Sequence, residues 1–152
     1  MFTLYSMRRS GNCYKVRLAL AQLGIAHELV EMDILQGETR TPEFIAKNPN
    51  GHVPLLEVAP NRFIAESNAI LWYVAGQSHL APTDRIERAE TLQWMFFEQH
   101  SLEPNMGAIS AQSISPEATI SDSDLSLMRV SFTPFGRLSS TFSMRPGSFA
   151  PA

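Results

Sequence analysis

A regular apolar pattern runs along this chain only as far as about Met106, and that limit governs what it can fold into. Residues 1–106 hold 5 serines, both tryptophans, all 3 tyrosines and both lysines, whereas residues 107–152 hold 11 serines in 46 positions and only 6 charged residues. Beyond Met106 the apolar residues Ile109, Ile114, Ile120, Leu125, Leu127, Val130, Phe132, Phe135 and Leu138 keep neither a helical nor a strand period. Pro116, Pro134, Pro146 and Pro151 interrupt them. Ordering a residue costs about 1–2 kcal/mol, and so little organised apolar surface does not offset it. The expectation for 107–152 is a Ser-rich, irregular, disordered tail.

Before the seam the elements can be placed one by one. Phe2-Thr3-Leu4-Tyr5 is a short apolar run followed by a polar, glycine-containing stretch, which reads as strand then loop. Val16, Ala19, Leu20 and Leu23 then recur at helical spacing, with Gly24 at the stop position. Residues 27–32 form a second strand, and the crossover between the two makes a parallel βαβ unit. Thr41-Pro42 opens a short helix, with Thr41 as cap and Pro42 where a missing N–H costs nothing. Asn48-Pro49-Asn50-Gly51 is a turn. Residues 53–58 and 62–65 suit an antiparallel hairpin, and Ser67 caps a helix carrying Ile70, Leu71 and Val74 on one face. The order βαβ-α-ββα is that of an α/β sandwich. Asp84-Arg85-Ile86-Glu87 has the form of a capping box, so a long helix follows it, with Ile86, Ala89, Leu92 and Phe96 on one stripe. That stripe, with Trp94 and Phe97 beside it, is more apolar than a free surface helix calls for.

Composition excludes several classes. A net charge of -3 and no basic run argue against a nucleic-acid partner, which needs clustered Lys and Arg. No apolar run approaches the roughly 20 residues that cross a bilayer, and MFTLYSMRR does not read as a secretory signal, so a cytoplasmic location without membrane attachment is expected. The single cysteine, Cys13, excludes an internal disulfide and any multi-cysteine metal site. His27, His79 and His100 have no spacing that suggests a metal, so no metal is expected.

Three strings, Ser10-Gly11-Asn12-Cys13-Tyr14-Lys15-Val16-Arg17, Asn48-Pro49-Asn50-Gly51-His52-Val53-Pro54 and Glu66-Ser67-Asn68-Ala69-Ile70, occur in order at domain-scale spacing. With the element order, they resemble the N-terminal domain of the glutathione transferase superfamily, in particular its serine-type theta-, zeta- and bacterial nu-like members. The resemblance implies a thioredoxin-like glutathione-binding domain over residues 1–80 and the start of an all-helical domain over 81–106. The tail over 107–152 resembles nothing in that family.

Glutathione is an anionic tripeptide with one thiol, so its site needs anion holders, an edge that pairs with its backbone and a group that favours its thiolate. A helix opening at Ser67 presents unpaired N–H groups and a partial positive charge to the γ-glutamyl carboxylate, and the Ser67 hydroxyl adds a donor. Glu66 can take the ligand's ammonium. The resemblance implies a cis Val53–Pro54 bond that turns the Val53 backbone outward as a pairing edge; from the residues alone, a trans proline at a strand start is the alternative.

Ser10 alone reads as a loop or cap residue. The resemblance makes it the catalytic serine, donating a hydrogen bond to the glutathione sulfur and lowering its pKa. Asn12 is a second candidate for orienting that thiol. Cys13 admits a redox reading and a packing one, and lacks a resolving partner for the first. His52 and Thr39 occupy positions where relatives hold the glycine carboxylate; a solvated turn histidine is the alternative for His52.

Two functions follow. One is a transferase that activates glutathione for transfer to a small electrophile, or for thiol or peroxide reduction. The other is a truncated, non-catalytic remnant that keeps a glutathione-shaped groove, since only the first helix of the second domain is evident. A changed reading frame or a gene truncation is the corresponding hypothesis for the tail. Homodimer formation stays open, because the family's dimer surface lies largely in the missing helices.

Overall fold

The structure is a computed structural model and describes residues 1–76 and 78–104. Met1–Phe96 forms one compact unit, and Phe97 begins a second. The disordered tail expected over 107–152 lies outside the described residues.

In the first unit the strands are β1 (Phe2–Ser6), β2 (His27–Glu31), β3 (Leu55–Ala59) and β4 (Arg62–Ala65). They form one sheet in the order β2-β1-β3-β4. β1 pairs parallel with β2, placing Leu4 opposite Leu29, and antiparallel with β3, placing Leu4 opposite Leu56. The helices are α1 (Gly11–Gln22), α2 (Pro42–Lys47), α3 (Ser67–Ala75) and α4 (Arg85–Phe97). This mixed four-stranded sheet with its helices is the thioredoxin-like arrangement.

Strand alternation decides which helix meets which face. Leu4 and Leu56 point to one side, where they meet Val16 and Leu20 of α1 and Ile70 of α3; all five are fully buried. Each such side chain contributes about 1.5–3 kcal/mol of burial free energy. Tyr5 points to the other side. Its ring meets Phe44 of α2 edge-on at 5.9 Å, and its hydroxyl accepts a 2.7 Å hydrogen bond from Lys47 Nζ. The sheet is therefore clamped between α1 and α3 on one face and α2 on the other.

Several sequence expectations shift. β3 starts at Leu55 rather than Val53, directly after the cis Val53–Pro54 bond, where Pro54 has no N–H to give a ladder. The cap position of α3 is Glu66, and Ser67 is its first helical residue. Two 3-10 turns, Ile34–Gln36 and Glu38–Arg40, fill the stretch between β2 and α2, where no helical period was legible. Asp33 caps the first of them through the Leu35 and Gln36 N–H groups. α4 ends at Phe97, followed by a π-turn over Glu98–Leu102. None of its residues is buried, and Ile86, Trp94 and Phe96 are well exposed.

Candidate functional site

The N-termini of α1 and α3 are brought together beside the sheet. α1 begins after Ser10, whose Oγ accepts a 3.2 Å hydrogen bond from the Cys13 N–H, the N-cap geometry that its sequence position allows. This bond uses a lone pair of the hydroxyl, so its proton is not consumed by it. α3 begins at Ser67, whose buried hydroxyl donates to Asn12 Oδ1 at 3.0 Å. Asn12 lies in the first turn of α1, so this bond ties the two helix starts directly. Both carry the positive ends of their helix dipoles.

The residue before Ser67 is strained. Glu66 has φ 68° and ψ 120°, a conformation that L side chains rarely adopt and that costs about 1–3 kcal/mol. Its side chain is exposed. No sequence pattern announces this strain, because Glu is not a turn residue.

The third component is the approach to β3. Val53–Pro54 is cis, Pro54 is buried and Val53 is half-buried. The turn before it is organised by Asn48, which is buried. Asn48 Oδ1 accepts from the Asn50 N–H at 3.2 Å, its C=O accepts from Gly51 N–H at 2.9 Å, and its Nδ2 donates to the His52 C=O at 2.9 Å. Arg40 adds a bond from Nη1 to the Asn50 C=O at 3.1 Å. Gly51 sits at φ +62° over this arrangement, and a Cβ there would lie 2.6 Å from Arg40 Nη1 and 2.9 Å from the Thr39 carbonyl oxygen. The sequence marks Asn48-Pro49-Asn50-Gly51 as a turn but does not reveal that Asn48 and Arg40 hold it.

The remaining candidates separate. His52 is exposed beside Val53. Thr39 is 3 % exposed, in the second 3-10 turn, with its carbonyl oxygen beside Gly51. Cys13 is fully buried, its Sγ accepting from the Met7 N–H at 3.3 Å, so it is a packing residue and not an accessible nucleophile. Among the described residues no cluster of three or more His, Cys, Asp or Glu could hold a metal ion. No described helix is long and apolar enough to cross a membrane.

The family model "Glutathione S-transferase, N-terminal domain" matches residues 1–76. Among solved structures, a possible glutathione S-transferase from Rhodopseudomonas palustris is 54% identical with a TM-score of 0.75, the match covering 86% of this chain and 67% of that one. A glutathione S-transferase from Pseudomonas fluorescens is 37% identical with a TM-score of 0.79 over the same shares. The structure of Ure2p in complex with glutathione is 28% identical with a TM-score of 0.69, covering 86% of this chain and 57% of that one. Protein URE2 of Candida albicans is 35% identical over 115 residues, which is 70% of this chain and 33% of that protein. The chain thus spans about a third of the length of the curated relatives it matches.

Proposed function

The chain belongs to the glutathione S-transferase family through its N-terminal domain, and from that premise we propose that it binds glutathione between the starts of α1 and α3 and activates the glutathione thiol. The observation that carries the reading is the bond between Ser67 Oγ and Asn12 Oδ1, which joins two helix N-termini into one anion-binding surface.

In this reading the γ-glutamyl carboxylate sits at the N-terminus of α3, in the field of the positive end of its dipole, while the Ser67 hydroxyl stays on Asn12 Oδ1 and holds the two helix starts together. Glu66 takes the ammonium. The cysteinyl backbone pairs with Val53 in the manner of an added strand, and His52 lies on the side of the glycine carboxylate. Ser10 then donates its hydroxyl proton as a hydrogen bond to the sulfur, the thiol proton leaves to solvent, and the thiolate persists in the field of the α1 N-terminus. Each unit of pKa lowering is worth about 1.4 kcal/mol in favour of the thiolate. The thiolate attacks an electrophilic carbon, forming a C–S bond as the leaving group departs, or enters thiol or peroxide reduction.

A second reading is favoured by one finding. A relative 33% identical over 115 residues is the transcriptional regulator URE2 of Saccharomyces cerevisiae, so a regulatory or purely binding role is the competing function for the domain. In it the groove is retained without turnover, as in a truncated remnant. Cytoplasmic residence and homodimer formation are further proposals, the second resting on the resemblance alone.

The test is a glutathione-binding measurement paired with a conjugation assay on the wild type and Ser10→Ala. The transferase reading predicts retained binding in both and turnover reduced about ten- to a hundredfold in Ser10→Ala. Binding without wild-type turnover supports the second reading, and turnover unaffected by Ser10→Ala removes Ser10 from the chemistry.

A further inference from the structure

Arg17 lies on α1 two turns beyond Ser10, and its guanidinium reaches back to the loop that joins β1 to α1. Nη1 donates to Ser6 Oγ at 2.6 Å and to the Met7 C=O at 3.2 Å, and Nη2 donates to the Arg8 C=O at 3.0 Å. Three consecutive residues are thus gripped by one side chain. The Met7 carbonyl is shared: it also accepts the Ser10 N–H at 3.1 Å. Ser6 is fully buried, so the grip is anchored in the core on one side and ends at Ser10 on the other.

We propose that Arg17 is a positioning residue that fixes the Ser6–Ser10 loop so that the Ser10 hydroxyl is held where the glutathione sulfur arrives. The proposal rests on the thiol-activation reading above. Arg17 acts through the loop and not on the ligand. A planar, permanently charged fork suits this task, because its five donors can meet several oxygens in one plane while costing little reorganisation. A lysine at this position supplies one ammonium centre and cannot reproduce the two-nitrogen grip on successive carbonyls. The loop has few alternatives to side-chain support: beyond Ser6 it leaves the sheet, and the Met7 N–H is met by Cys13 Sγ rather than by a strand partner. Small displacements of a thiol-activating donor carry a large penalty, since its hydrogen bond to sulfur depends steeply on distance and angle.

The test compares the full chain with Arg17→Lys and Arg17→Met in three measurements: glutathione Kd, the pKa of the bound glutathione thiol from its thiolate absorbance, and hydrogen exchange of the Ser10 amide without ligand. The expected result for Arg17→Met is a Kd within about threefold of wild type, a bound thiolate fraction at neutral pH lower by about tenfold, and faster Ser10 exchange, with Arg17→Lys in between. A purely structural role would lower stability without separating affinity from thiol pKa. Wild-type thiol pKa and wild-type Ser10 exchange in Arg17→Met, or in Arg17→Lys should the former not fold, overturn the proposal. A wild-type protein that binds glutathione without lowering its thiol pKa overturns the thiol-activation reading instead. Ser10 exchange then decides the loop-fixing role of Arg17 by itself, an unchanged rate in the variants overturning it.

Discussion

Ser10 does two things with one hydroxyl. Its oxygen accepts the Cys13 N–H and so caps α1, while its proton is the donor proposed for the glutathione sulfur. The two duties can be separated by substitution. Ser10→Ala removes both, at a stability cost of about 1 kcal/mol from the lost cap. Ser10→Asp keeps a good cap acceptor but offers no proton and places negative charge beside the sulfur. It is expected to match wild type in thermal stability while abolishing the lowering of the bound thiol pKa. Equal thermal midpoints for wild type and both variants would contradict the cap, and a lowered thiol pKa in Ser10→Asp would contradict the donor. The cap was legible at this residue, because serine favours a helix start, whereas the catalytic reading came with the resemblance. What was not legible is that the capping bond leaves the hydroxyl proton uncommitted. The holding roles of Arg17 and Asn48 were silent in the sequence for a related reason: their work depends on which distant backbone groups they reach, and spacing along the chain does not encode that.

At the scale of elements, the turn ahead of Val53 and the start of α4 each yield an expected outcome. Gly51 combines a positive φ with a site where a Cβ would meet Arg40 Nη1 and the Thr39 carbonyl. Gly51→Ala is therefore expected to cost about 2 kcal/mol or more in chemical denaturation and to weaken glutathione binding, because the displaced turn leads straight into Val53. A variant of wild-type stability would show that the turn yields freely. Asp84 caps α4, its Oδ1 accepting from Ile86 at 2.8 Å and Glu87 at 3.1 Å. Backbone hydrogen bonds, first from Glu87 and then from Ile86, hold its carboxyl below the ordinary aspartate range. A carboxyl depressed in the folded state lends its support above the unfolded pKa, and that support fades as pH falls through the folded value. The protection of the Ile86 and Glu87 amides, taken relative to the exchange rate of an unstructured amide at the same pH, should therefore fall in acid below about pH 4 in the wild type, and Asp84→Asn should flatten that dependence. An Asp84 titration at or above the ordinary carboxylate value would contradict it. Elements with strong local signals were readable: the βαβ opening, the Thr41-Pro42 start, the hairpin and the Asp84 cap. The two 3-10 turns after β2 were not, since their support comes from Asp33 and a left-handed Gly37 rather than from an apolar period.

For the molecule as a whole, the thioredoxin-like domain was legible because its core obeys two periods at once. Leu4 and Leu56 alternate on the sheet, while Val16, Leu20 and Ile70 recur at helical spacing to meet them. Of the candidate site, the helix starts at Ser10 and Ser67 were legible to within a residue, while the cis Val53–Pro54 bond came with the resemblance. The burial of Thr39 was not legible, since nothing in its local sequence indicates that the Asn48–Gly51 turn lies against its carbonyl. The central claim is that the starts of α1 and α3, with the Val53 edge, make one glutathione site. Its most direct test is an NMR titration of the isotope-labelled chain with glutathione. The account predicts saturable, one-site shifts of the backbone amides at Ser10, Asn12, Val53 and Ser67, all following a single binding curve; no saturable change at Val53 and Ser67 would contradict it.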